Sequence, residues 1–207
     1  MQSTVEEMSF DIAGIQEVSY YDYNQLKDIN LNDRYEIFFA PTQLNNSKVN
    51  DVIDPHFQID GNAIFVEKNI IAKSVNVSHK ILQISAILCA HMVSVDYPVK
   101  MNIINCHLHH HEEEEAIRVY EIKHILKWVA FNTNEEDFTV ILGDFNTIPN
   151  SSSYEVLINQ KFKSSYYLCY GEEPIKTFHS CMEAPHKDTG TEGTYDYILY
   201  NIFNNLN

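Results

Sequence analysis

The segment Val140-Ile-Leu-Gly-Asp-Phe-Asn146 decides the fold of this chain. Its apolar part, Thr139 to Leu142, predicts a buried strand. The apolar run ends at Gly143, and Asp144 and Asn146 follow, two positions apart. A carboxylate and a carboxamide thus lie just past the carboxyl end of a buried strand, which is where open α/β sheets place their ligand sites. The alternative is an ordinary turn, because glycine, aspartate and asparagine are turn-forming residues.

Strand-like and helix-like segments alternate through the rest of the chain. Hairpin-like pairs of strands also occur, so we expect a mixed sheet within an α/β fold. The polar segment from Thr42 to Gln58 is typical of a long surface loop, and Phe162 to Phe178 contains aromatic, strand-like pieces. The predicted strands are Asp11–Val18, Tyr35–Ala40, Asn62–Val66, Ile70–His79, Ile81–Val95, Val99–Leu108, Thr139–Leu142 and Thr194–Tyr200, and the predicted helices are Tyr20–Leu31, Glu112–Phe131 and Ser151–Asn159.

The longest predicted helix, Glu112 to Phe131, has a clear apolar face. Its core residues recur at helical spacing, as shown by Val119, Ile122, Leu126 and Val129. Four consecutive glutamates begin the segment, in the first turn, where the helix dipole favours negative charge. The acidic run therefore has a structural explanation that requires no ligand.

The composition predicts a single globular domain spanning residues 1–207. Hydrophobic residues make up 44% of the chain, and no run of about 18 apolar residues suggests a membrane span. The first ten residues lack the basic segment of a signal peptide. Four cysteines without paired spacing are interpreted as reduced, packed residues, so we expect an intracellular, cytoplasmic protein and no zinc site formed by these cysteines.

The net charge of −15, from 14 basic and 29 acidic residues, limits the possible partners. Proteins that bind nucleic acid usually carry a basic surface, and this deficit argues against tight, non-specific binding of a long polyanion. The negative net charge remains compatible with a contact to a single phosphate through a metal ion.

Polar side chains near four strand ends form a candidate site. Glu17, His107, Asp144, Asn146 and Asp196 suit metal-assisted attack on a phosphate ester. A carboxylate would hold the cation, a histidine would donate to a phosphate oxygen, and the aspartate and asparagine would orient a water or a leaving oxygen. Taken alone, a glutamate at a strand end is more often a solvated surface residue.

Five segments, in order along nearly the whole chain, carry a family resemblance. They are Gln16-Glu17, Asp60-Gly-Asn-Ala-Ile-Phe65, Asn105-Cys-His-Leu108, Gly143-Asp-Phe-Asn146 and Asp196-Tyr-Ile198. They resemble the successive motifs of the endonuclease/exonuclease/phosphatase superfamily. The spacing, and Thr177-Phe178 before the last motif, look closest to its poly(A)-deadenylase and nocturnin-like branch.

The resemblance implies a two-sheet α/β sandwich of the deoxyribonuclease-I type and phosphodiester hydrolysis that depends on Mg²⁺ or Mn²⁺. The substrate class that it suggests is RNA or a nucleotide. By resemblance, Glu17 would be the metal carboxylate, and His107 would contact a phosphate oxygen. Asp144 and Asn146 would position the nucleophile and the scissile phosphate, and Asp196 would support the site.

Two motifs of the superfamily are not found in the 207 residues. One is the asparagine on the opening strand, beside the metal, and the other is the closing Ser-Asp-His triplet. We therefore expect a domain that is incomplete at both ends, with both terminal strands absent and their neighbouring edges unpaired. A protein partner would cover these edges, or the sequence is part of a longer one. Losing a general base typically costs about 10²- to 10⁴-fold in rate, so the alternative function is a catalytically inactive structural or interaction subunit.

A histidine cluster permits one further hypothesis. His107, His109, His110 and His111 resemble the His-x-His-x-Asp-His motif of metallo-β-lactamase-like hydrolases. The motif is broken, because position 111 is histidine where it requires aspartate and Glu112 stands where it requires histidine. The favoured interpretation is that His109 to His111 are surface residues at a helix start.

Overall fold

Nine strands and five helices are described in the computed structural model of the chain, which covers residues 10–28, 31–42, 60–72, 75–81, 86–95, 100–134, 136–179 and 190–201. The strands are β1 (Ile12–Ser19), β2 (Tyr35–Pro41), β3 (Asp60–Glu67), β4 (Asn76–Ile81), β5 (Ala86–Val93), β6 (Lys100–His107), β7 (Phe138–Asp144), β8 (Lys163–Ser164) and β9 (Asp196–Asn201). The helices are α1 (Tyr20–Asp28), α2 (Leu31–Arg34), α3 (Glu115–Asn132), α4 (Ser152–Asn159) and α5 (Ser165–Tyr170).

The strands form two sheets. The smaller sheet has the order β1-β3-β2 and is antiparallel throughout. The larger sheet has the order β4-β5-β6-β7-β9-β8, and among its described strands β6 and β7 are the one parallel pair. The predicted mixed sheet is confirmed, and the parallel pair brings the carboxyl ends of β6 and β7 to the same edge.

Alternation along the strands separates the core into layers. Ile103 on β6 packs in the apolar layer between the two sheets, while the next residue, Ile104, packs on the opposite face, which is covered by α3 and α4. Side chains of successive strand residues point to opposite faces, so each buried strand serves two layers. Ile122 and Ile125 of α3 are fully buried against this opposite face.

The outer face of the smaller sheet is covered by α1 and α2. Leu26 and Leu31 of these helices pack with Val18, Tyr35 and Phe65. The molecule is therefore a helix–sheet–sheet–helix sandwich, as the resemblance implied.

Several of the element boundaries predicted from the sequence are wrong. Helix α3 begins at Glu115 and not at Glu112, so only one of the four glutamates lies in its first turn. The predicted helix up to Leu31 ends at Asp28, and the strand expected from Ile70 begins at Asn76. The predicted surface loop from Thr42 to Gln58 and the cysteine at position 181 lie outside the described residues, apart from Thr42 itself.

The aromatic segment before residue 171 is helical where strand-like pieces were expected. Ser164 caps α5 by accepting a hydrogen bond from the Tyr167 N–H at 3.2 Å. Gly171 ends the helix in the left-handed conformation, with φ of 79°. A serine cap and a glycine stop fix a short helix locally, and they prevail over the β propensity of its tyrosines.

Two of the three described cysteines, Cys89 and Cys106, agree with the prediction of reduced, packed thiols, whereas Cys169 is not packed. Cys89 and Cys106 are buried, Cys169 is exposed, and all three are free thiols. Burial raises the pKa of Cys89 to about 12, which keeps it in the unreactive thiol form. Within the described ranges, none of the helices combines the length and the apolar character needed to cross a membrane.

Candidate active site at the edge between the sheets

Three of the predicted site residues form a row across adjacent strands. His107 on β6 pairs with Asp144 on β7, and Asp144 pairs with Asp196 on β9. By strand alternation the row shares the face of Ile103 and Val140, which belong to the layer between the sheets. The His107 Nε2 atom lies 3.9 Å from the Asp144 Oδ2 atom. The row therefore faces the gap between the two sheets, at the end where β6 and β7 terminate.

The turn after β7 explains the Gly-Asp-Phe-Asn sequence. Gly143 has φ of 132°, and a Cβ there would lie 2.0 Å from the Cys106 carbonyl oxygen, so only glycine fits. Phe145 is fully buried and anchors the turn in the core. Asn146 has φ of 48°, a left-handed conformation that asparagine tolerates better than most residues.

Hydrogen bonds within this turn fix the Asp144 carboxylate. The Asn146 backbone N–H donates to Asp144 Oδ1 at 2.8 Å, and the Asn146 side-chain Nδ2 donates to the Leu108 carbonyl at 2.9 Å. The Asn146 amide nitrogen thus joins the segments that follow β6 and β7. Asn146 therefore has a structural role, which the sequence did not indicate.

Glu17 reaches the same place from the smaller sheet. The pairing of β1 with β3 shifts register between Ile15 and Val18, which marks a bulge at Gln16 and Glu17. Glu17 has φ of 55°, and 77% of its side chain is exposed. Bulges of this kind redirect a side chain, and the Glu17 Oε1 atom lies 4.0 Å from His107 Nε2.

Asn105 fixes this bulge against the larger sheet. Its buried side chain, on β6, donates to the Ile15 carbonyl at 3.0 Å and to the Ala63 carbonyl at 2.8 Å. Its oxygen accepts a hydrogen bond from Gln16 Nε2 at 2.5 Å. The only sequence signal for this role was a polar amide inside an apolar strand, within the quoted Asn105-Cys-His-Leu108 motif. Asn105 therefore ties the two sheets together and positions the residue before Glu17.

All five predicted site residues line one open cavity of about 530 Å³. Among the described residues that line it, four carry carboxylates, namely Glu17, Glu112, Asp144 and Asp196, and none is a lysine or arginine. Sequence reasoning assigned Glu112 to the helix dipole, and the late start of α3 places it in the cavity wall instead. The further lining residues are Gln16, His110, Phe178, Gly190, Thr191 and Tyr195.

The donor set of the cavity fits a hard divalent cation. Mg²⁺ and Mn²⁺ take oxygen ligands, and carboxylates supply them here. Burial, together with the charges of Asp196 and Glu17, raises the pKa of Asp144 to about 6, against the opposing effects of the Asn146 N–H and His107. The carboxylates therefore repel one another without a cation between them, and Glu17 presents an exposed carboxylate that could hold one.

The raised pKa of Asp144, caused mainly by its burial, yields a prediction about stability. In buffer with EDTA, Asp144→Asn should be more stable than the wild-type chain at pH 7 by roughly 1–2 kcal/mol, allowing for solvent screening of a side chain that is 30% exposed. Because the folded-state pKa is raised, the wild-type contribution of Asp144 is fully present below about pH 4 and is lost as the pH rises through about 6. Thermal unfolding across this range should show the gap between the two proteins widening with pH. A constant gap would contradict the assignment.

Thr177, to which the sequence analysis assigned no role, holds the start of β9. Thr177 Oγ1 accepts hydrogen bonds from the N–H groups of Tyr195 at 3.0 Å and of Asp196 at 3.1 Å. The rings of Phe178 and Tyr195 lie 6.2 Å apart, and both line the cavity. This arrangement gives the acidic cavity an aromatic side.

The prediction for the histidine run is partly wrong. His110 and His111 are exposed, as expected, but His109 is only 7% exposed. His109 contacts Glu114, whereas His107 faces Glu17 and Asp144. His107 therefore belongs to the cavity between the sheets, whereas His109 is buried beside Glu114.

Comparison with solved structures reveals the same fold in several proteins. The catalytic domain of human nocturnin with a bound sulfate anion superposes with a TM-score of 0.71 at 20% identity, covering 92% of this chain and 69% of that one. TDP2 from D. rerio, complexed with a single-strand DNA product, gives 0.68 at 13% identity, covering 97% and 74%. Truncated TDP2 from Caenorhabditis elegans gives 0.65 at 16% identity, covering 93% and 71%.

Sequence comparison identifies the family. No curated protein matches the chain. The sequence profile of the Endonuclease/Exonuclease/phosphatase family matches residues 2–202, nearly the whole chain. The chain therefore belongs to the endonuclease/exonuclease/phosphatase family.

Proposed function

We propose that this chain is a phosphodiester hydrolase that uses Mg²⁺ or Mn²⁺. The observation that supports this most is the convergence of Glu17, His107, Asp144 and Asp196 on one cavity, from strands of both sheets. A cavity whose described lining residues include four carboxylates suits a cation that mediates between the protein and a phosphate. Family membership and the fold shared with nocturnin and TDP2 support the same reaction class.

In this proposal, Glu17 would hold the cation, with Asp144 and Asp196 close by. The cation would polarise a phosphoryl oxygen and offset the charge that develops in the transition state. His107 is partly buried, and its Nε2 atom faces the carboxylates, so it can donate a hydrogen bond to a phosphate oxygen.

Asp144 is the residue proposed to orient the attacking water. Its Oδ1 atom is held by the Asn146 N–H at 2.8 Å, which leaves Oδ2 directed toward His107 at 3.9 Å. The pKa of Asp144, about 6, lies closer to neutral pH than that of an ordinary aspartate. Its carboxylate is therefore a stronger base and can accept a proton from the water more readily.

The substrate that we propose is RNA or a nucleotide. Phe178 and Tyr195 add an aromatic wall to the cavity, and aromatic rings stack on nucleobases regardless of sequence. The net charge of −15 favours a short strand or a strand end over a long duplex, because binding of a long phosphate backbone usually needs a basic surface.

A substrate panel tests the proposal. The purified chain would be assayed with Mg²⁺, with Mn²⁺ and with EDTA, on a labelled oligoadenylate, a DNA strand of equal length, an aryl phosphodiester and an aryl phosphomonoester. We expect metal-dependent cleavage of the diesters, fastest on the oligoadenylate. Turnover of the monoester alone would contradict the reaction class, and no turnover of any diester would favour the non-catalytic subunit.

A further inference from the structure

A second group of metal-ligand side chains lies outside the cavity, in the segment between β6 and α3. His109, His111 and Glu114 each offer one ligand atom, and these atoms all lie within 4.8 Å of one another. The His109 and His111 rings are 4.9 Å apart between centroids, and His109 Nε2 contacts Glu114 Oε2. Neither Glu17 nor any other residue of the proposed catalytic row belongs to this group.

The buried member of the group, His109, has a partner in the protein for only one of its two ring nitrogens. Only 7% of the residue is exposed, and its Nδ1 atom is buried with no hydrogen-bond partner among the described residues. Buried imidazole nitrogens are nearly always hydrogen-bonded, because an unpaired one loses its hydration without compensation. His109 is therefore not explained as an ordinary core histidine.

The backbone of this segment is fixed from the helix side. Arg118, which is 4% exposed, donates to the His111 carbonyl at 2.6 Å and to the His109 carbonyl at 3.3 Å. A second Arg118 nitrogen donates to the Glu112 carbonyl at 2.9 Å, and Glu121 accepts from the His109 N–H at 3.0 Å. These contacts fix the backbone that carries the two imidazoles, independently of any ligand.

We propose that His109, His111 and Glu114 bind a late first-row divalent ion, with Zn²⁺ as the first candidate. Two imidazoles and one carboxylate are a zinc ligand set with room for a further ligand, and Mg²⁺ does not prefer nitrogen donors. The acidic run 112–115 and the net charge of −15 favour a cation here. Because His110 and Glu112 line the cavity, the bound ion would also fix one wall of it.

Cobalt titration tests this site without using activity. Co²⁺ would be added to the whole chain in excess Mg²⁺, which occupies oxygen-ligand sites, and visible absorption would be followed. We expect one equivalent of Co²⁺ with the intense bands of a low-coordinate nitrogen site, displaced by Zn²⁺ but not by Mg²⁺. His111→Ala and Glu114→Gln should each weaken Zn²⁺ binding by at least about 100-fold, the upper end of what outer-shell changes cost.

Matched variants separate this site from the cavity. Glu113→Gln, at an exposed neighbouring glutamate outside the group, and Glu17→Gln should both bind Zn²⁺ as the wild type does. His111 is exposed, and Glu114→Gln keeps a side-chain oxygen for His109 Nε2, so both variants should unfold at the wild-type temperature in EDTA. Absence of Co²⁺ and Zn²⁺ binding by the wild-type chain would overturn the proposal, and so would binding that is lost in Glu17→Gln but kept in His111→Ala.

Discussion

Asp144→Asn is expected to lose roughly 10²- to 10⁴-fold in kcat/KM on the preferred phosphodiester, with Mg²⁺ at saturation. The asparagine oxygen can still accept the hydrogen bond that the Asn146 N–H donates at 2.8 Å, so the turn should keep its shape. It has no negative charge, however, and cannot take a proton from water or help to attract the cation. Steady-state kinetics at pH 7 would measure the loss.

The same variant carries its own control for folding. Because Asp144→Asn is expected to be more stable than the wild type in EDTA, lost activity cannot be attributed to unfolding. Asp33→Asn, at an exposed aspartate on α2, is the matched substitution and should retain full activity. An Asp144→Asn protein with activity within a few-fold of wild type would remove Asp144 from the mechanism.

Asn105→Ala is expected to destabilise the fold by roughly 2–5 kcal/mol and to weaken cation binding at Glu17. The Ile15 and Ala63 carbonyls, both in the smaller sheet, now accept hydrogen bonds from the Asn105 amide of the larger sheet. The substitution removes this donor. Each buried polar group left unpaired costs about 1–3 kcal/mol. The bulge at Gln16 and Glu17 also loses its contact to the larger sheet. Chemical denaturation would measure the first effect, and calorimetric titration with Mn²⁺ the second.

Asn102→Ala separates the two effects. Asn102 lies near the other end of β6, is equally buried, and bonds to His91 and Asp137. Its loss should cost comparable stability and leave Mn²⁺ affinity unchanged. If both variants weakened Mn²⁺ binding to the same extent, the effect would reflect general loosening, and Asn105 would have no specific role in positioning Glu17.

The local signals in the sequence predicted the central strand and its turn well. Strand β7 extends from Phe138 to Asp144, and the glycine before Asp144 is required by its φ and by the approach of the Cys106 carbonyl. These features depend on neighbouring residues, so spacing and residue type suffice to predict them. The sequence also placed His107, Asp144 and Asp196 at strand ends. These strand ends meet in the larger sheet, which brings the three side chains together.

The features that the sequence did not predict depend on distant partners. The bulge at Glu17 needs β3 and Asn105, which lie far along the chain from β1. The burial of His109 needs Arg118 and Glu121, which point back from α3 onto the preceding segment. Periodicity within a segment carries no information about such contacts, and the sequence therefore predicted that His109 to His111 are surface residues.

The most direct test of the account is single-turnover hydrolysis of the labelled oligoadenylate over a range of Mg²⁺ concentrations. The wild-type chain would be compared with Glu17→Gln and with Glu155→Gln, which changes an exposed glutamate on α4. We predict that the wild type and Glu155→Gln cleave with the same Mg²⁺ dependence, while Glu17→Gln shows little cleavage or needs far more Mg²⁺. Equal cleavage by all three proteins, or cleavage that persists in EDTA, would contradict a cation held at Glu17.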